Sequence, residues 1–228
     1  MRIKIQIFLI LFILVNFAYS QVGADYSISV NSNSEVYDYS TNKLLSKKQI
    51  EESMLNSTAV FIPKEFNKKA EPLNFYRVRN ASNNYIDFSK YYDLPEIGEE
   101  FPEFSVRTIG NENLDSDDFR GKNLIINFQF MLKYPFVLSD QIILIDDFVI
   151  SNEAFETILF SISGESDGLN FKKDSDLIAE IVAEATSYTR MYGVFKLPMY
   201  MVVDDNGVLK GIYTSAEATI NAVRKTEQ

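Results

Sequence analysis

Residues 129–138 form the segment in which reactive chemistry is expected, because an apolar strand-like run ends there and a helix-like run follows. In open α/β folds, ligands and reactive groups collect where strands end and helices begin. The polar side chains in the middle of this segment are Lys133 and Tyr134, and their neighbours are mostly apolar. A lysine becomes a nucleophile only when it is desolvated, which nothing in this pattern predicts. We therefore interpret Lys133 as solvated or partner-facing, and assign no catalytic residue.

Two absences narrow the possible chemistry further. The chain contains no cysteine, which excludes disulfides, thiolate nucleophiles and cysteine-ligated metals. It contains no histidine either, which excludes an imidazole base and a Ser-His-Asp triad. The acidic runs 115–118 and 204–207 lack the ligand spacing of a calcium loop and indicate turns and helix caps instead. We expect no metal and no cofactor.

Adjacent carboxylates at Asp146 and Asp147 cannot converge on one substrate atom if they lie on a helix. We predict that both belong to a solvated helix face.

The N-terminus has the pattern of a secretory signal peptide. Arg2 and Lys4 precede an apolar run at 5–15, and Ala18-Tyr19-Ser20 supplies a small-x-small cleavage site. The run is shorter than the ~20 residues that a membrane-spanning helix needs. We expect cleavage after Ser20, export to the periplasm or the extracellular space, and no stable membrane insertion.

The charge of the chain limits its partners. Two of its 22 basic residues lie in the predicted signal peptide, so the mature chain would carry 20 basic against 32 acidic residues, a net charge of −12. So acidic a chain has no electrostatic footprint for nucleic acid. We expect no nucleic-acid partner.

The composition changes along the chain and predicts three parts: a signal peptide at 1–20, an N-terminal extension at 21–93 and a main domain at 94–228. The extension is rich in Asn, Ser, Lys and Tyr, with short strand-like runs and one helix beginning after an N-cap at Ser46. We interpret it as a small α+β appendage. A Pro- and Gly-containing acidic stretch at 95–102 marks the boundary.

The main domain alternates strands and helices. In chain order the pattern predicts a strand at 104–109, a helical turn at 116–122, a buried strand at 124–128, a helix at 139–149, a strand at 155–162, a polar excursion, a helix over 175–192 or a strand at 178–182, a hairpin formed by 197–203 and 208–213, and a helix from Ser215. Asn206-Gly207 between two apolar runs is a strong hairpin signal.

Three stretches together, IGEEFPEFSV, DDFRGKNLIINF and YGVFKLPMYMVVDDNGVLKGIY, resemble the thioredoxin-like superfamily over about residues 94–224. The resemblance is to the exported redoxin branch with TlpA-like and AhpC/TSA-like members. It implies an α/β fold with a central mixed sheet flanked by helices. It also implies that Pro198 occupies the position of the cis-proline which that family places beside its active site.

The chain departs from this family where the family keeps its chemistry. In a thioredoxin-type register the two cysteine positions are occupied by Lys133 and Phe136. In a peroxiredoxin-type register the peroxidatic cysteine position is occupied by Leu138. Both registers stay open, and both exclude thiol-disulfide exchange and peroxide reduction, because each reaction needs a thiolate.

The leading hypothesis is a secreted, redox-inactive protein whose former active-site edge binds a protein or peptide in the cell envelope. It requires an exposed apolar rim comprising Leu132, Tyr134, Pro135, Met199 and Tyr200, and the alternative that these apolar residues are buried as core stays open. One alternative is an oxidoreductase that uses a partner-supplied thiol or non-thiol chemistry. Another is a structural subunit of an envelope assembly, docked through the extension.

Overall fold

A computed structural model describes residues 30–56, 58–79 and 86–226 of the chain. The predicted signal peptide lies outside these residues. The contacts divide the chain into two compact units. The first holds the described residues up to Lys64 together with Leu73–Phe88, and the second holds Glu65–Pro72 together with the described residues from Ser89 onward. The predicted boundary between 93 and 94 stays a prediction.

The first unit is built on three strands in the order β1-β3-β2 and one helix. The elements are β1 (Val36–Asp38), α1 (Lys47–Met54), β2 (Ala59–Phe66) and β3 (Pro72–Arg79), the last two of which extend into the second unit. Ser46 starts α1 through a capping box, in which its hydroxyl accepts the Gln49 N–H and the Gln49 side chain accepts the Ser46 N–H. Ile50 then packs against Val36 and Phe75.

The second unit contains a five-stranded mixed sheet in the order β10-β9-β6-β7-β8. Its elements are β4 (Ser105–Arg107), β5 (Asn113–Asp115), β6 (Asn123–Gln129), α2 (Ser139–Ile150), β7 (Phe155–Ser161), α3 (Glu165–Ser175), β8 (Glu180–Val182), α4 (Thr186–Met191), β9 (Met199–Val203), β10 (Leu209–Tyr213) and α5 (Ala216–Thr226). Strands β6, β7 and β8 are parallel, and β9 is antiparallel to both β6 and β10. A small separate hairpin pairs β4 with β5.

The two faces of the sheet bury different side chains of the same strand. On β6, Ile126 and Phe128 pack in one cluster with Phe160 and Tyr192, while Ile125 points to the other face and joins a cluster with α2 and α5. This alternation follows from the period of two along a strand. Because β6 is buried on both faces, its sequence is a nearly continuous apolar run, as predicted for a central parallel strand.

The predicted closing hairpin is confirmed in β9 and β10. The Asp204 carboxylate accepts hydrogen bonds from the N–H groups of Asn206 and Val208, and Gly207 has a φ of 84°, which glycine adopts at little cost.

The structure decides the open alternative between β7 and β9 and adds one helix. The strand predicted at 178–182 is confirmed as β8, the short helix α4 follows it, and the polar excursion contains helix α3, which was not predicted. The hydrophobic pattern of the sequence did not predict α3, because only two of its residues, Gly168 and Phe171, are buried. A helix that buries so few side chains has no amphipathic period to detect.

The predicted solvated face of α2 is wrong for Asp146 and correct for Asp147. Asp146 is 3% exposed, and its carboxylate accepts hydrogen bonds from the N–H groups of Ile178 and Ala179 at 3.0 and 2.9 Å. The segment before β8 offers these donors, and no local pattern in α2 could have revealed a bond between residues so far apart in the chain. Asp147, one position further, is exposed.

Among the residues that the structure describes, no helix has both the length and the apolar character required to cross a membrane.

Candidate functional site

The candidate site is the loop at 130–138, which joins the end of β6 to the start of α2. Phe128 of β6 pairs with Met199 of β9, so the register brings Pro198, the residue before β9, to the same edge of the sheet as this loop. The Leu197–Pro198 and Tyr134–Pro135 peptide bonds are both cis. The topology therefore gathers at one edge the positions that the two possible registers single out.

Two serines at the end of β7 anchor the start of the loop. The Leu132 N–H donates to the Ser163 hydroxyl at 2.7 Å, and the Ser161 hydroxyl donates to the Phe130 carbonyl at 3.3 Å. The Ser163 N–H in turn donates to the Ser161 hydroxyl at 3.1 Å. Both serines are buried, so these bonds fix the loop against the neighbouring strand without competition from water. Sequence reasoning did not single out either serine.

Lys133 begins a tight turn and is held by an ion pair. Its carbonyl accepts the N–H groups of Phe136 and Val137 at 2.9 and 3.1 Å. Its ammonium lies 3.0 Å from an Asp167 carboxylate oxygen, and about half of the lysine side chain is exposed. A hydrated, ion-paired ammonium is a poor nucleophile, and this geometry favours a structural role for Lys133.

The predicted apolar rim is exposed at the tip of the loop only. Tyr134 is 91% exposed and Pro135 is exposed beside it, while Leu138 retains 42% of its accessible surface. Phe136 and Pro198 are partly buried, and the Phe136 ring packs edge-on against Phe130 with the ring centroids 6.1 Å apart.

The prediction that Leu132, Met199 and Tyr200 contribute to the exposed rim is wrong. Their exposed fractions are 3%, 6% and 0%. Leu132 turns inward to pack in a cluster with Ile142 and Leu159, and the two β9 residues face opposite layers of the core. The sequence shows that these residues are apolar but not whether their side chains point inward or outward. That direction depends on the backbone conformation at each residue.

A buried polar network lies beneath the loop. The Gln129 amide donates to Asn127 at 2.7 Å and to the Tyr200 hydroxyl at 3.2 Å, and that hydroxyl donates to Gln141 of α2 at 3.2 Å. The Gln141 carbonyl oxygen also accepts the N–H of Ala216 at the start of α5. Burial raises the pKa of Tyr200 to about 12, so its hydroxyl stays protonated near neutral pH.

This network joins β6, β9, α2 and α5 below the site. Its polar groups form hydrogen bonds with one another rather than pointing toward a ligand site. The signal that could have revealed it is the pair of amides in the apolar run NFQF, on which no sequence prediction was based. Among the described residues there is no group of three or more acidic side chains that could hold a metal ion.

Helix α2 begins at Ser139, so the turn at Lys133–Phe136 precedes the helix and Leu138 is the residue immediately before it. Both registers for the missing cysteines therefore stay open. In either one the singled-out positions hold Lys133 and Phe136 or Leu138, none of which is a cysteine.

Comparison with known proteins places the fold and leaves the activity open. No family model matches the chain, and no curated protein does. Among solved structures, the thioredoxin domain of a thiol-disulfide oxidoreductase from Bacteroides vulgatus matches with a TM-score of 0.51 and 15% identity, covering 58% of this chain and 98% of that one. A protein described as thiol:disulfide interchange protein DsbE from Chlorobium tepidum matches with a TM-score of 0.52, 15% identity and the same two coverages.

A peroxiredoxin-like protein from Aquifex aeolicus is similar as well, with a TM-score of 0.51 and 13% identity over 58% of this chain and 88% of that one. At these identities the likeness concerns the fold. The second unit therefore has a thioredoxin-like α/β fold, which confirms the predicted fold class. Within that fold class, this chain is distinguished by containing no cysteine.

The turn at the loop tip allows the thioredoxin-type register to be tested. An i to i+3 hydrogen bond brings the two Cα atoms within about 7 Å, close to the range that a disulfide spans. We expect the double variant Lys133→Cys/Phe136→Cys to form an intramolecular disulfide that dithiothreitol reduces, measured by thiol labelling and mass spectrometry. The absence of any other cysteine removes competing pairings.

Persistently free thiols under oxidising conditions would contradict this prediction. In that case a single Leu138→Cys variant, tested for reaction with peroxide, would examine the other register.

Proposed function

We propose that this chain is a redox-inactive, exported thioredoxin-fold protein that binds a protein or peptide partner through the tip of the 130–138 loop. The observation that carries the proposal is the presentation of Tyr134. This large aromatic side chain is 91% exposed at the tip of an anchored loop, beside the exposed Pro135. Tyrosine is enriched at protein interfaces because it offers a large contact area and a polar hydroxyl at small entropic cost.

The anchoring of the loop supports the same interpretation. Buried serine hydroxyls and the Lys133–Asp167 ion pair hold the residues before the tip, and the Lys133 carbonyl accepts the N–H groups of Phe136 and Val137 after it. A loop that is already ordered loses less conformational entropy when it binds. Redox inactivity follows from the composition, because thiol-disulfide exchange requires a sulfur that this chain does not have.

Export is proposed from the N-terminal sequence. The basic, apolar and small-residue order of residues 1–20 is that of a signal peptide, and the acidic composition suits a soluble envelope protein. The enzyme alternative gains no specific support, because Lys133 is hydrated and ion-paired and the polar network beneath the loop is internally satisfied.

The test is capture of binding partners from an envelope extract by the wild-type chain, by Tyr134→Ser and by a matched control, Leu55→Ser. Leu55 is 88% exposed, so both substitutions remove an exposed apolar side chain and neither opens a cavity. We expect specific proteins to be lost with Tyr134→Ser and retained with Leu55→Ser. Equal capture by all three chains would place the function away from this loop.

A further inference from the structure

The direction of the strands gathers several helix starts at the edge that carries the loop. Strand β9 is antiparallel to both β6 and β10, so β10 runs in the same direction as β6, β7 and β8. These four strands therefore end at one edge of the sheet. Helix α2 follows β6 at this edge, α3 follows β7 and α5 follows β10.

Acidic side chains occupy the first turn of each of these helices. They are Asp140 in α2, Glu165 and Asp167 in α3, and Glu217 in α5. Glu184, which follows β8, joins them at this edge, because its N–H donates to the Ser163 carbonyl at 2.8 Å. All but Asp167 are exposed.

Two lysines share the edge with these five carboxylates. Lys133 is already paired with Asp167, and Lys196 precedes Pro198 by two residues. The surroundings of the exposed tip are therefore negative overall. The carboxylates are spread around the edge and do not converge, in keeping with the absence of a metal-binding group among the described residues.

We propose that the partner segment docked on this loop is cationic as well as apolar: an extended peptide in which lysine or arginine side chains alternate with aliphatic ones. The inference rests on the proposed function and specifies its partner. Aliphatic side chains of the peptide would cover Tyr134 and Pro135, while its cationic groups would face the five carboxylates around the edge. Charge complementarity of this kind selects partners and speeds association.

Two further physical points favour a cationic segment. Lysine and arginine combine an apolar stem with a charged end, so they can cover the loop tip and still reach the carboxylates. The Tyr134 ring also offers an exposed face for a cation–π contact. An acidic segment would meet like charges at every helix start around the tip.

The experiment uses short fluorescein-labelled peptides in which leucine alternates with lysine, glutamine or glutamate. Binding is measured by fluorescence anisotropy at low and at high ionic strength. The chains compared are the wild type, Tyr134→Ser, and an edge variant with Asp140→Asn, Glu165→Gln and Glu217→Gln. A control variant with Glu153→Gln, Asp174→Asn and Asp205→Asn removes the same charge at the opposite end of the sheet.

We expect the leucine-lysine peptide to bind the wild type and the control variant equally. Its affinity should fall about tenfold in the edge variant, as expected for three exposed charge contacts, and should fall also in Tyr134→Ser and at high salt. The glutamate peptide should not bind. Circular dichroism verifies that each variant is folded, and Glu165→Gln alone replaces the edge variant if the triple change unfolds the chain.

Equal binding of the lysine and glutamine peptides, weakened by Tyr134→Ser, would overturn the cationic preference and leave the proposed binding function standing. Equal loss of affinity in the edge and control variants, with no effect of Tyr134→Ser, would indicate general attraction to an acidic protein and overturn the inference. A lack of binding by all three peptides would overturn it as well, while the capture experiment decides the proposed function separately.

Discussion

Replacing Asp146 by alanine is expected to lower the free energy of unfolding by about 3 kcal/mol, because two backbone donors would lose a charged acceptor. The Asp146 carboxylate accepts the N–H groups of Ile178 and Ala179, and the side chain is almost completely buried. Alanine would leave the buried Ala179 N–H without a partner and would remove the tie between α2 and the segment before β8. Urea denaturation followed by circular dichroism would measure the change.

The adjacent carboxylate supplies a matched control. Asp147→Ala removes the same chemical group from the same helix at an exposed position, and we expect a change within about 0.5 kcal/mol. A similar small effect of Asp146→Ala would contradict the assignment of Asp146 as the buried acceptor. The result matters for the site because α2 carries the end of the 130–138 loop.

Replacing Gly193 by alanine is expected to destabilise the second unit by about 4 kcal/mol. Gly193 has a φ of 64°, and a Cβ there would lie 2.4 Å from the Asp93 carbonyl oxygen and 2.6 Å from its carbon. The left-handed conformation costs an alanine about 1–2 kcal/mol, and a clash with backbone adds about 1–3 kcal/mol, because the backbone must move to relieve it. Thermal and urea unfolding would report the loss.

Gly121→Ala separates these two contributions. Gly121 also has a positive φ, 88°, but a Cβ there would meet nothing within 4 Å. We expect this control to lose only about 1–2 kcal/mol. If both variants lost the same amount, the close approach of Gly193 to Asp93 would not be a feature of the folded chain in solution.

Both positions lie outside the candidate site, in segments that are connected to it along the chain. Gly193 lies in the segment that leads from α4 to Pro198, and Asp146 lies in the helix that follows the loop. The sheet packs without any cysteine, because the chain contains none, and a fold does not by itself fix the function of its edge.

Much of the fold could be predicted from the sequence, because its signals are local. The continuous apolar run of β6, the Asn206-Gly207 turn and the N-cap at Ser46 are each contained within a few residues. Composition alone excludes thiol chemistry, because a chain without cysteine has no sulfur nucleophile wherever its residues lie. Helix α3 was missed because it buries two side chains and has no apolar period.

The tertiary structure decided which way each side chain of the candidate site points. Tyr134 lies in water while Leu132, two residues earlier, lies in the core, and Asp146 is buried while Asp147 is exposed. The five carboxylates lie near one another only because four strands end at the same edge of the sheet. Residue types and local elements follow from the sequence alone, whereas burial and the gathering of side chains at one edge depend on contacts between residues that are distant in the chain.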